Sequence, residues 1–180
     1  MSFLRSLPDD AVLMQVFKQH PESAKPLIAF HDVLMRSPSP FTDGERELIA
    51  AYVSGVNGCT YCHGVHTATA EAFGVEPGLL AALLSDVDTA PVDDRLRPVL
   101  RYVGKLTATP AKMTQADADA VFAAGWADDA LYAAVMVCAL FNFMNRMVDG
   151  LGIVTNPSYF AESGERLRRI GYNGLLAMIE

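Results

Sequence analysis

Strict alternation of β-branched with polar residues is absent from this sequence, and so is any strand–helix–strand rhythm. That excludes a sheet-based architecture and leaves all-α as the expected fold class. Cysteine is scarce. The three present, Cys59, Cys62 and Cys138, are an odd number and too few for a disulfide scaffold in 180 residues. Long apolar runs are missing as well: the longest, Ala130 to Phe141, is a dozen residues, too short to cross a bilayer. Basic clusters are lacking too, with 14 Lys and Arg against 21 Asp and Glu and a net charge of −7. Neither nucleic acid nor an anionic membrane is therefore an expected partner. The opening residues, Met1 to Ser6, lack the charged segment, apolar stretch and cleavage site of a secretory signal, and they are not a transit peptide either. The expected location is cytoplasmic.

What is abundant is apolar surface, at 51% of residues, with only 19% charged. Without a membrane span to absorb it, the surplus predicts a homo-oligomer. The length suits a single domain. Pro8-Asp9-Asp10 opens a predicted helix to about His20, and Pro21 starts a second that Ser37-Pro38-Ser39-Pro40 stops. Thr42-x-x-Glu45 reads as a capping box for a helix from about Asp43 to Val56, which Asn57-Gly58 breaks. A helix from near Cys59 to Gly74 follows, then a short one over Pro77 to Leu84 and another from about Asp93 to Thr107. Thr114-x-x-Asp117 reads as a further cap. Asp128-Asp129 opens the most apolar helix, to about Val148, and Glu162 to Ile179 is helical in part.

Cys59 and Cys62 fall at the start of a predicted helix, where unpaired N–H groups and a partial positive charge favour a thiolate. The thiolate is the reactive form, so a CxxC there is suited to thiol–disulfide exchange. His66 lies four residues after Cys62, one turn on and on the same face, where an imidazole can take the thiol's proton. His63 points about 100° away and is a rim residue. If Asn57-Gly58 folds two helices side by side, Glu47 comes level with His66 and can orient it. The same four residues, Glu47, Cys59, Cys62 and His66, could also be zinc ligands, although a second CxxC or an HxxH is missing. A non-catalytic oligomer whose packing responds to the thiol–disulfide state is a further reading. No cofactor-binding motif is recognisable.

The spacing Glu47-x11-Cys59-x2-Cys62-x3-His66 resembles the signature of the alkylhydroperoxidase D (AhpD) core in the carboxymuconolactone decarboxylase superfamily. The wording around it agrees, with Glu45-Arg46-Glu47-Leu48-Ile49, Asn57-Gly58-Cys59 and His66-Thr67-Ala68. The segment Phe141 to Gly152 is similar to the peroxidase-related branch of that family. The specific match covers about residues 41–75, weaker similarity runs to about 152, and the first forty residues add little. The resemblance implies an AhpD-like helical bundle with an N-terminal arm at 1–40, a core at 41–152 and a C-terminal extension at 153–180. It also implies an alkylhydroperoxidase-like oxidoreductase of peroxiredoxin type, with hydroperoxide as substrate and a dithiol, such as a lipoyl-bearing protein, as reductant. In family terms Cys62 attacks the peroxide, Cys59 resolves the sulfenic acid into a redox-active disulfide, and His66 with Glu47 relays protons. The founding peroxidases carry histidine immediately before the second cysteine, where this chain has Tyr61. Decarboxylase members generally lack the CxxC, which disfavours lactone decarboxylation.

Elsewhere, Cys138 reads as core filler and Trp126 as a packed helix corner. Arg146 is expected to be structural, with Asp149 or a neighbouring subunit as its partner. His20 and His31 are isolated and receive no role.

Overall fold

A computed structural model describes residues 2–179 of the chain. Among the described residues there are nine α-helices and no strand. In chain order they are α1 (Leu13–Gln19), α2 (Pro21–Arg36), α3 (Asp43–Val56), α4 (Thr60–Ala72), α5 (Leu79–Ser85), α6 (Leu96–Ala108), α7 (Gln115–Ala123), α8 (Asp128–Gly150) and α9 (Pro157–Ile170). A 3-10 turn follows α6 at Pro110–Lys112, and another, Asn173–Met178, follows α9.

The α3–α4 hairpin is the frame of the site. Thr42 accepts from the Glu45 N–H, and the Glu45 carboxylate accepts from the Thr42 N–H at 2.7 Å, so the capping box forms at the start of α3. At the other end Gly58 takes φ +74°, a left-handed turn that a side chain would strain. The Cys59 N–H then reaches back to the Ser54 carbonyl at 3.0 Å, and α4 runs antiparallel along α3. Ten of the fourteen residues of α3 are buried, because α4, α6 and α8 all pack on it.

Three boundaries differ from expectation, each for a local reason. The first helix starts at Leu13 instead of Pro8, because the Gln15 side chain accepts from the Val12 N–H at 2.8 Å and caps it there. The sixth starts at Leu96 instead of Asp93. The Asp93 carboxylate holds the Arg95 N–H at 2.7 Å, and Pro98 sits in the first turn, where its missing donor costs nothing. The last begins at Pro157 instead of Glu162, because Asn156 accepts from the Tyr159 N–H and Pro157 fits the first helical position.

The apolar run from Ala130 to Phe141 belongs to a helix of 23 residues, long and apolar enough by composition to cross a membrane. Here α8 packs against α3 and α6 through Ala134, Val137, Cys138 and Phe141. Cys138 is fully buried, as filler in that core. Trp126 lies against Phe41 and donates its indole N–H to the Arg95 carbonyl at 2.7 Å, fixing a helix corner. Arg146 is exposed, and its partners are the carbonyl and side chain of Asn142, one turn earlier on its own helix, instead of Asp149.

Candidate active site

Cys59 occupies the cap position of α4 and is fully buried; Cys62, in the first turn, is 3% exposed. Cys62 lines a cavity of about 80 Å³, whereas Cys59 lies behind it and does not reach the lining. His66 follows one turn later on the same face and lines the same cavity. His63 turns away and bonds the Ala51 carbonyl through Nδ1 at 2.9 Å.

Glu47 is fully buried on α3. Its Oε2 meets His66 Nδ1 at 2.6 Å, and its Oε1 accepts from Arg36 Nη2 at 2.6 Å and from the Tyr172 hydroxyl at 3.0 Å. Burial alone would raise the Glu47 pKa. The charges and hydrogen bonds of His66 and then Arg36 outweigh it and hold the carboxylate below the usual range. An ionised Glu47 selects the His66 tautomer with a proton on Nδ1, which leaves Nε2 as a free acceptor.

The helix-start argument predicts a thiolate at Cys62, and here the structure corrects it. The neighbouring Cys59 thiol comes first, burial second, and together they push the Cys62 thiol well above its ordinary pKa; the Asn145 side chain opposes them in part. A buried thiol beside a second sulfur keeps its proton, and one helix terminus does not compensate. Its ionisation therefore needs a base. Two imidazoles, His66 and His31, line the cavity with Cys62, and of these His66 is the one bonded to Glu47.

Several residues at the site escaped sequence reasoning. Arg36 and Tyr172 complete the cradle of Glu47. His31 is buried, with its ring 5.3 Å from that of Tyr172 and its Nδ1 bonded to the Leu27 carbonyl at 2.8 Å. Burial, with a smaller push from His66, lowers its pKa to about 4 in spite of the Leu27 bond, so it stays neutral. Phe141 packs edge-on against His66, with centroids 4.4 Å apart. Asn145 bonds Ser54 at 2.9 Å and accepts from Asn57 at 2.8 Å, tying α8 to the α3–α4 turn beside the thiols. The only sequence signal for these was Phe141 to Gly152, noted as a segment and not residue by residue. Tyr61 lines the cavity and bonds the Tyr159 hydroxyl at 3.0 Å, which joins α4 to α9.

The zinc reading does not fit this geometry. Both oxygens of Glu47 are taken by His66, Arg36 and Tyr172, and among the described residues no three His, Cys, Asp or Glu side chains are grouped to hold a metal ion.

The model of the carboxymuconolactone decarboxylase family matches residues 21–103. It begins within the segment expected to add little and ends before α7, so α2 belongs to the match while α8 and α9 lie outside it. No curated protein matches the chain. Among solved structures, an uncharacterized peroxidase-related protein from Silicibacter sp. TM1040 is 28% identical, with a TM-score of 0.76 over 82% of this chain and 78% of its own. An uncharacterized peroxidase-related protein with an alkylhydroperoxidase AhpD core, from Ralstonia eutropha JMP134, is 26% identical, also at 0.76, over 83% and 78%. A protein of unknown function from Agrobacterium tumefaciens, with a suggested AhpD-type antioxidant role, shares the fold at 20% identity and a TM-score of 0.65, over 81% and 100%. Family match, helical frame and neighbours agree: residues 21–103 match the carboxymuconolactone decarboxylase family, and the chain shares the AhpD-like helical fold of the peroxidase-related proteins.

Proposed function

We propose that the protein is a thiol-dependent peroxidase and disulfide reductase that cycles Cys59 and Cys62 between dithiol and disulfide. The observation that carries this reading is that Cys62 and His66 line one cavity, with the ionised Glu47 bonded behind the imidazole. The peroxidase-related names of the neighbours support it.

His66 Nε2 takes the Cys62 proton, and the imidazolium is stabilised by Glu47. The thiolate attacks the terminal oxygen of the hydroperoxide. The O–O bond breaks, Cys62 becomes a sulfenic acid, and the leaving alkoxide recovers the proton from His66 as an alcohol. The Cys59 sulfur then attacks the Cys62 sulfur, the S–OH bond breaks, and water leaves with the Cys59 proton. A dithiol reductant restores both thiols by exchange and departs as its own disulfide. The sum is hydroperoxide plus dithiol giving alcohol, water and disulfide. Tyr61 serves as cavity wall, its hydroxyl held by Tyr159.

Peptide mass mapping after stoichiometric hydroperoxide tests the cycle. The expected result is a Cys59–Cys62 bridge with Cys138 free, and no turnover in Cys62→Ser or Cys59→Ser. Turnover at the wild-type rate in both variants overturns the assignment. A second reading, a non-catalytic oligomer whose assembly follows the redox state, draws on the exposed Tyr132 and Phe143 of α8. An oligomer size identical under oxidising and reducing conditions removes it.

A further inference from the structure

Part of the cavity wall is made by α9, through Tyr159, Ser163, Arg166 and Leu167, and it carries one permanent charge, Arg166. Its Nη2 donates to the Ser163 hydroxyl at 2.9 Å, and its guanidinium lies 5.9 Å from the centre of the Tyr159 ring. Its Nε is buried without a hydrogen-bond partner. Two other arginines, Arg36 and Arg46, also bury an unpartnered Nε, but each is paired with a carboxylate, Glu47 and Asp43 respectively. Two positions along α9, Arg168 pairs with Glu165 on the outer side at 2.7 Å. Of the three arginines with a buried, unpartnered Nε, Arg166 alone has no carboxylate partner among the described residues, and no described carboxylate lines the cavity it faces. The rest of that lining is largely apolar, with Leu13, Phe17, Val65 and Leu167 among it.

A partly desolvated guanidinium with spare donors on an apolar wall is complementary to a carboxylate, which it binds through charge-assisted, often paired, hydrogen bonds. We propose that Arg166 binds the carboxylate of the substrate, and that the substrate class is an aliphatic hydroperoxide with a carboxylate at its far end. This rests on the peroxidase reading. The peroxide group lies at Cys62, the hydrocarbon fills the apolar space, and the acid group meets Arg166. No new bond chemistry is involved: the hydroperoxide is reduced to the hydroxy acid by the steps given above.

The test uses the full chain, pre-reduced and freed of donor dithiol, so that only the peroxide can contribute a carboxylate. Thiol oxidation is followed in a single turnover with the tertiary hydroperoxide of isocaproic acid and, separately, with its methyl ester. The acid is expected to react about tenfold to a hundredfold faster per unit concentration, the range set by one charge-assisted pair. Arg166→Gln is expected to remove the acid's advantage, and Arg166→Lys to keep part of it. Equal rates for acid and ester in the wild type overturn the proposal. So does an undiminished preference in a folded Arg166→Gln protein with an unchanged thermal midpoint. Calorimetric titration with isocaproate, which cannot be reduced, separates this idea from the peroxidase reading. If neither peroxide oxidises the thiols, the peroxidase reading fails. Isocaproate binding that Arg166→Gln abolishes then still supports the anion site, and no isocaproate binding by the wild type sinks it.

Discussion

At Glu47, one buried carboxylate satisfies His66, Arg36 and Tyr172 together, so its loss leaves the Arg36 charge with only the more distant Asp43, 3.9 Å from its Nε. Glu47→Gln is expected to cost about 3 kcal/mol in urea denaturation, as for other half-broken buried pairs. It is also expected to slow single-turnover thiol oxidation by about a hundredfold, by releasing the His66 ring. The Glu47 pKa in the fold lies below the 4.5 of an unperturbed glutamate. Its contribution is therefore complete above that value and lost as pH falls through the lowered one. His31 gives a second, separable pH effect. Its pKa is about 4 in the fold against 6.5 unperturbed. Between those values the unfolded chain binds a proton that the native state refuses, so stability rises with pH across the window and is complete above it. The protein is expected to be about 2 kcal/mol less stable at pH 5 than at pH 7, with His31→Phe flattening that slope. The CxxC and His66 were legible in the sequence because four residues of helix suffice to align them. Tyr172 was not, because it reaches Glu47 across 125 positions and no local pattern records such a contact.

At the scale of elements, α4 and α9 lie close enough that glycine is needed on both sides. A Cβ on Gly164 would fall 2.7 Å from the backbone carbon of Ala68, and one on Gly64 would fall 2.5 Å from the Phe160 ring. Backbone cannot yield as a side chain can. Gly164→Ala is therefore expected to destabilise by about 2 kcal/mol, lowering the thermal midpoint by about 4–8 °C. Because α9 is also the wall that carries Tyr159 and Arg166, the same substitution is expected to disturb peroxide reduction without touching a thiol. Helix existence was readable from capping residues and apolar spacing, as at Thr42–Glu45 and Thr114–Asp117. Helix starts were less so. At Val12 the Gln15 side chain, and at Arg95 the Asp93 carboxylate, decide which N–H is capped, and that choice competes with the proline signals nearby.

For the molecule as a whole, the apolar excess leaves a trace on α8, where Tyr132 is 65% and Phe143 54% exposed, with Ala139 between them also exposed. A face of this kind on a 23-residue helix suits a self-complementary contact about a two-fold axis. Sedimentation is expected to show an assembly larger than one chain. Replacing Tyr132 and Phe143 together with glutamate is expected to weaken it by about 2 kcal/mol or more for each aromatic. A wild-type protein that sediments as a single chain at all concentrations removes this expectation.

By itself the sequence determined the helical class, the hairpin that follows the Thr42 cap, and the chemistry-bearing spacing of Cys59, Cys62 and His66. These follow from local rules: capping, the preference of Gly58 for a left-handed turn, and the 3.6-residue repeat. Only tertiary structure decided that Cys62 faces a cavity while Cys59 lies behind it. The protonated state of Cys62, the ionised state of Glu47 and the cation at Arg166 are matters of packing too. Each depends on desolvation and on partners that α2, α8 and α9 deliver from distant parts of the chain, and burial and charge act through space and not along the sequence.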